Sequence, residues 1–232
     1  MKKCNARVGK MQRRILPVAG AAAVAFMAAL PQAAFAGKVT PPEMPANIRV
    51  PAGHHAFLKG HAIGTQNYVC LPSASAASGV AYVLFTPQAI LFDEDDAKEL
   101  TTHFFSPNPF ESNTSPALVA DGRIRATWHH SRDSSTVWAK VRPADPNIPD
   151  DRGDSSTDPE FVEDGAIAWL KLTVTGTETG PDGGDTLAKT TFIQRVNTSG
   201  GVAPSTGCSS LANVGNQAFI EYTANYFFYT KE

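Results

Sequence analysis

Beyond residue 53 the apolar positions of this chain recur with a period of two, the spacing of a strand and not the 3.6 of a helix. Residues 123–129 alternate most cleanly, with Ile124, Ala126 and Trp128 on one face and Arg125, Thr127 and His129 on the other. Residues 136–142 form a second strand, and 131–135 between them read as a hairpin connection. Residues 66–71 and 80–86 are further strands, followed by the short apolar run 89–92. Residues 166–175 are rich in β-branched and apolar side chains and lead through the Gly/Pro/Asp turn 179–185 into a strand at 189–196. The chain closes on 218–222 and the aromatic run 224–229, read as a closing strand covered on both faces. Only residues 94–100 offer a short helix.

Regularly spaced strands without intervening helices predict an all-β fold: a single antiparallel sandwich or barrel-like domain with long loops and little helix. The pattern does not choose between sandwich and barrel. The longest connection, 143–164, carries eight acidic residues and four prolines.

The first 36 residues stand apart. Lys2, Lys3, Arg7, Lys10, Arg13 and Arg14 precede an apolar run at 15–30, then Pro31 and the small-x-small motif Ala34-Phe35-Ala36. This is the pattern of a cleavable signal peptide ending at Ala36, and the apolar run is shorter than the ~20 residues of a spanning helix. Arg13-Arg14 fits a twin-arginine signal only loosely, so the general secretory route is the expectation. The expected organisation is a signal peptide at 1–36, a Pro-rich lead-in at 37–53 and one β domain at 54–232, with no transmembrane anchor after cleavage. The expected location is secreted, periplasmic or extracellular.

Cleavage changes the charge and the cysteine count. The full chain holds 20 basic and 22 acidic residues; losing six basic ones leaves 14 against 22, a formal charge of −8. Such a surface repels nucleic acid. Cys4 is discarded, which leaves Cys70 and Cys208 for a compartment where disulfides persist. A bridge between them is the expectation, two buried thiols the alternative.

The densest polar cluster is Trp128-His129-His130-Ser131-Arg132-Asp133. Two imidazoles, a guanidinium and a carboxylate at a hairpin tip can hold an anion, bind a metal or move a proton, or simply form a polar turn. His54, His55, His61 and His103 would join His129 or His130 in a zinc or copper site only if the fold gathered them. Asp150-Asp151-Arg152-Gly153-Asp154 offers carboxylates for calcium but does not follow the EF-hand spacing. No cofactor is expected. The chain has no Gly-x-Ser-x-Gly elbow, phosphate-cradling loop or His-Glu-x-x-His helix. Trp128, Trp138 and Trp169 are expected in the core, with a carbohydrate platform as the alternative. Asn113 and Asn197 begin glycosylation sequons.

Several segments together resemble a known family. They are residues 66–70 (QNYVC), 89–92 (AILF), His103-Phe104-Phe105, Ala168-Trp169-Leu170, the run 192–204 (FIQRVNTSGGVAP) with Cys208, and 222–229 (YTANYFFY). The chain thereby resembles the secreted domain-of-unknown-function 3455 family of bacteria and fungi over nearly all of its mature length, most specifically from Gln194 to Cys208. It departs at Asn225, where the family pattern has Asp, and in the residues after His103. The resemblance implies an exported domain with paired cysteines and supplies no catalytic residues. Some members carry a malate dehydrogenase label, but this chain has no Gly-x-Gly-x-x-Gly after a strand.

The expected function is therefore that of an exported, non-enzymatic β domain. It either binds a ligand (a small molecule, a glycan or an envelope component) or is a structural protein of the envelope or extracellular space. The alternatives are a secreted enzyme, metal-assisted or not, using His103, His129, His130 and Asp133, and a glycan-binding module. Trp128 and Arg132 are the candidate ligand contacts.

Overall fold

The computed structural model describes residues 39–93, 98–111 and 124–232. The expected signal peptide at 1–36 and the first sequon lie outside them. Nine strands run in chain order: β1 (His54–Pro72), β2 (Val80–Phe92), β3 (Glu99–Pro107), β4 (Ile124–His130), β5 (Thr136–Val141), β6 (Ser155–Ser156), β7 (Trp169–Glu178), β8 (Phe192–Gly200) and β9 (Gln217–Lys231). Among the described residues there is no α-helix, only single 3₁₀ turns at Ala46–Ile48 and Leu211–Asn213. Residues 94–97 of the expected helix are not described, and Glu99 and Leu100 open β3.

Each barrel strand pairs antiparallel with its sequence neighbour, in the order β5-β4-β3-β2-β1-β9-β8-β7, and β5 also pairs with β7. That last pairing closes the sheet. The fold is an eight-stranded up-and-down barrel, which settles the choice against a sandwich. β6 lies against β7 at Leu170 and Trp169, beyond the end of β5 at Leu172. A barrel of eight strands has an interior just wide enough to be filled by side chains or to hold one small ligand.

One expected break vanishes in the barrel. Runs 80–86 and 89–92 form the single strand β2 across Pro87, which pairs with Gln66 of β1. Pro87 is tolerated because the β2–β3 ladder covers only Ala89–Phe92. Just beyond that ladder, the Phe105 amide donates to the Thr86 hydroxyl at 3.0 Å. Gly64 of β1 lets the strands meet here, since a Cβ would lie 2.2 Å from the Gln88 carbonyl.

Both faces of β8 and β9 are buried, for different reasons. Ile193, Tyr226 and Phe228 point inward with Trp128, Leu91 and Leu187. Val196, Phe227 and Tyr229 point outward, beneath Met44, Ile48, Val162 and Trp169. The Pro-rich lead-in is thus a packed strap. Gln194 holds it, donating from Nε2 to the Ile48 carbonyl at 2.6 Å while its Oε1 accepts from the Tyr229 hydroxyl. The acidic connection is ordered by charge: Arg142 pairs with Asp151 at 2.7 Å and Lys171 with Asp154 at 3.2 Å. A disulfide joins Cys70 to Cys208 across 138 residues, with the Cα atoms 5.5 Å apart.

Candidate functional site

Every barrel strand contributes to one internal cavity of about 430 Å³. Its walls are mainly apolar: Leu84 and Pro87 from β2, Phe105 from β3, Ala126 and Trp128 from β4, Ala139 and Val141 from β5, and Leu170 and Leu172 from β7. Polar groups enter from Gln66 and Tyr68 of β1, His103 of β3, Arg195 of β8 and Tyr226 of β9. They converge because each lies on the inward parity of its strand. His103 pairs with Trp128, and Arg195 pairs with both Leu170 and Tyr226.

The aromatic groups form one cluster. His103 stacks on Trp128 at 4.2 Å, and Tyr226 meets both edge-on, at 5.3 Å from His103 and 5.6 Å from Trp128. His103 Nδ1 lies 2.9 Å from the Thr127 carbonyl, so that nitrogen carries the proton and donates. Burial pushes the imidazole down to about 3, only partly offset by the Thr127 carbonyl, and the Arg195 charge lowers it further. Burial raises the phenols of Tyr68 and Tyr226, against the opposing pull of Arg195. At neutral pH the imidazole and the phenols are uncharged.

Arg195 supplies the cavity's inner cation. Its Nε and Nη2 both donate to the Ala168 carbonyl, at 3.2 and 2.8 Å. No ion pair forms to it among the described residues. Arg125 and Lys140 also border the cavity, but both face Glu111, at 2.6 and 3.8 Å. No carboxylate is among the lining residues. One buried donor, Trp128 Nε1, finds no acceptor among the described residues, while the Gln66 side chain lies against the Tyr222 hydroxyl. Tyr68 donates to the Gly201 carbonyl at 2.7 Å, fixing this wall to the turn after β8.

The side chains of residues 128–133 do not share one face of the barrel. His129 faces outward, with Nδ1 2.9 Å from the Thr136 hydroxyl. His130 faces inward and lies 2.8 Å from Asp133. The Asp133 carboxylate accepts from the Ser135 amide and hydroxyl and from the Thr186 amide, and the Ser135 hydroxyl accepts from Leu187. These bonds tie the β4–β5 hairpin to the segment before β8. Arg132 is exposed in the turn. His103 is the one histidine of the expected set that lines the cavity.

Among the described residues no three His, Cys, Asp or Glu side chains gather as a metal-holding group. Trp128, Trp138 and Trp169 are 0%, 6% and 4% exposed, so none offers an open platform to a glycan. Of the two expected ligand contacts, Trp128 lines the cavity and Arg132 does not. Gln66, Tyr68, Arg195 and Tyr226 were not singled out by residue type. Each lies, however, in a segment on which the family resemblance rests.

A family model described as "Protein of unknown function (DUF3455)" matches residues 51–230. Nothing matches among the curated proteins or the solved structures.

Proposed function

The chain belongs to the family of proteins of unknown function DUF3455, and from that premise, which brings no activity with it, we propose that the barrel binds a small, largely apolar molecule in its interior. The observation that carries this reading is the cavity of about 430 Å³ lined by all eight barrel strands. That volume falls in the range of small-molecule sites, and mainly apolar walls with a few convergent polar groups are their usual composition. The polar groups are held by the fold itself: Arg195 by the Ala168 carbonyl, Tyr68 by Gly201 and His103 by Thr127.

The binding protein acts outside the cytoplasm in this reading. The disulfide supports that location, and among the described residues no helix is long and apolar enough to cross a membrane. The test uses the neutral apolar fluorophore N-phenyl-1-naphthylamine. It should be taken up saturably, one per chain, with energy transfer from Trp128, and Ala126→Phe should weaken uptake by filling the cavity. Non-saturable fluorescence, or uptake indifferent to Ala126→Phe in a folded variant, overturns the proposal.

A further inference from the structure

We propose, building on interior binding, that the ligand is an amphipathic monocarboxylic acid whose carboxylate lies against Arg195 and whose apolar body fills the barrel. The inner cavity presents one full positive charge and no acid. Trp128 adds a buried indole N–H that finds no acceptor among the described residues, and Gln66 adds a side-chain amide to the same wall. A buried donor without an acceptor is costly, and an anionic oxygen is the acceptor that satisfies donors of this kind best.

The geometry of Arg195 narrows the class. Guanidinium has five donors in a planar fork, and the bonds to Ala168 occupy its Nε–Nη2 side. The guanidinium also meets the Tyr226 hydroxyl, and the donors that remain on its fork can face the two oxygens of a carboxylate. Tyr226 stands beside it, and its neutral hydroxyl can donate as well. Charge sets the stoichiometry. Burying an ion is expensive unless it is paired, and a single guanidinium neutralises a monoanion but leaves a dianion half compensated. Arg125 is neutralised by Glu111 at 2.6 Å, and Lys140, whose side chain is half exposed, keeps its charge in water, so neither supplies a second buried cation. At the rim those two side chains still favour the approach of a negative ligand to an otherwise acidic protein.

The alternative role for Arg195 is to brace the backbone before β7 through Ala168. That role accounts for two of its donors. It leaves unexplained why a fixed cation, an unpartnered indole N–H and acid-free walls meet in one cavity.

Calorimetry with decanoate, decanol and decyl phosphate on the disulfide-bonded protein at pH 7.5 decides the matter. Decanoate should bind roughly ten- to a hundredfold more tightly than decanol, the range set by one charge-assisted contact. It should also bind more tightly than decyl phosphate. In Arg195→Met, checked for folding by near-ultraviolet circular dichroism, the preference for decanoate over decanol should collapse. Equal binding of decanoate and decanol by the unaltered protein overturns the inference, and so does tighter binding of the phosphate. A preference that survives Arg195→Met also overturns it. If the neutral fluorophore binds but decanoate has no advantage, the acid assignment alone fails; if neither binds, interior binding fails with it.

Discussion

His103 lies flat on Trp128 inside the barrel, with ring planes 7° apart and its Nδ1 proton given to the Thr127 carbonyl. Its basicity falls from the ordinary 6.5 to about 3 because burial penalises the charged ring. Below pH 6.5 the unfolded chain therefore binds a proton that the folded chain refuses until about pH 3. The stability this group permits is complete above 6.5 and is lost as the pH falls, at about 1.4 kcal/mol per unit. His103→Phe keeps a ring on Trp128 and removes the titration. Urea unfolding should show the unaltered protein losing stability relative to the variant between about pH 6 and 4.5. A pH-independent difference would contradict a neutral, buried His103.

Asp133 titrates in the same direction but lower. Burial alone would raise its carboxyl, yet the hydrogen bonds from Thr186 and Ser135 outweigh burial and hold it far below 3.8. A depressed carboxyl contributes stability above its unfolded value and loses it as the pH falls through the folded one. Asp133→Asn should cost about 2 kcal/mol at pH 7, through weakened bonds between the hairpin and Thr186. The difference from the unaltered protein should narrow at pH 3, as read by chemical denaturation at the two pH values. Ligand binding should persist, because Asp133 does not line the cavity.

The strands that could be read from the sequence are those whose local composition agrees with their final state. β4 alternates, β7 is rich in β-branched residues, and a Gly/Pro/Asp turn separates β7 from β8. The first half of β1 was invisible for the opposite reason. It carries His54, His55, Lys59, Gly60, His61 and Gly64, and it is extended because β9 and β2 pair along it. β3 was missed where only a short acidic helix was expected. The candidate site was harder still. Arg195 shares parity with Ile193, but Gln194 and Val196 are buried on the other face by the strap. With both faces covered, alternation alone cannot say that Arg195 points inward. The adjacent histidines, by contrast, did obey strand parity: His129 turns out and His130 in.

The disulfide and the export signal meet in one measurement. Protein recovered from its native compartment should begin at Gly37, and non-reducing mass analysis should find it two hydrogens lighter than the dithiol. A retained residue 1 or two reactive thiols would refute this. Replacing Cys70 and Cys208 together by Ser should cost roughly 5 kcal/mol on the chain-entropy estimate for a loop of this length.

The strap at residues 39–53 depends on Gln194, whose amide bridges the Ile48 carbonyl and the Tyr229 hydroxyl in a buried setting. Tyr229→Phe removes one partner and should cost about 1–2 kcal/mol. Gln194→Leu leaves the Ile48 carbonyl and the Tyr229 hydroxyl without their partner and should cost more. Hydrogen exchange should then speed up around residues 44–50 before the barrel strands respond. Uniform acceleration across the barrel would mean that the strap has no local stability of its own.

Gly201 joins the turn after β8 to the cavity wall. Its φ of +83° is unfavourable for any side chain, and a Cβ would lie 2.9 Å from Tyr222 Cβ, 3.0 Å from Ile167 Cγ2 and 3.2 Å from Gln66 Cγ. Gly183 has nearly the same φ, +81°, and nothing within 4 Å of such a Cβ. Ala at Gly183 should therefore cost only the left-handed backbone penalty, about 1–2 kcal/mol. Ala at Gly201 adds crowding, for a total of roughly 3 kcal/mol. It should also weaken ligand uptake, because Gln66 and the Tyr68 that bonds to Gly201 both line the cavity. Thermal unfolding and fluorophore titration of the two variants side by side separate backbone strain from packing. Equal losses of stability and unchanged uptake in Gly201→Ala would show that this turn does not shape the cavity.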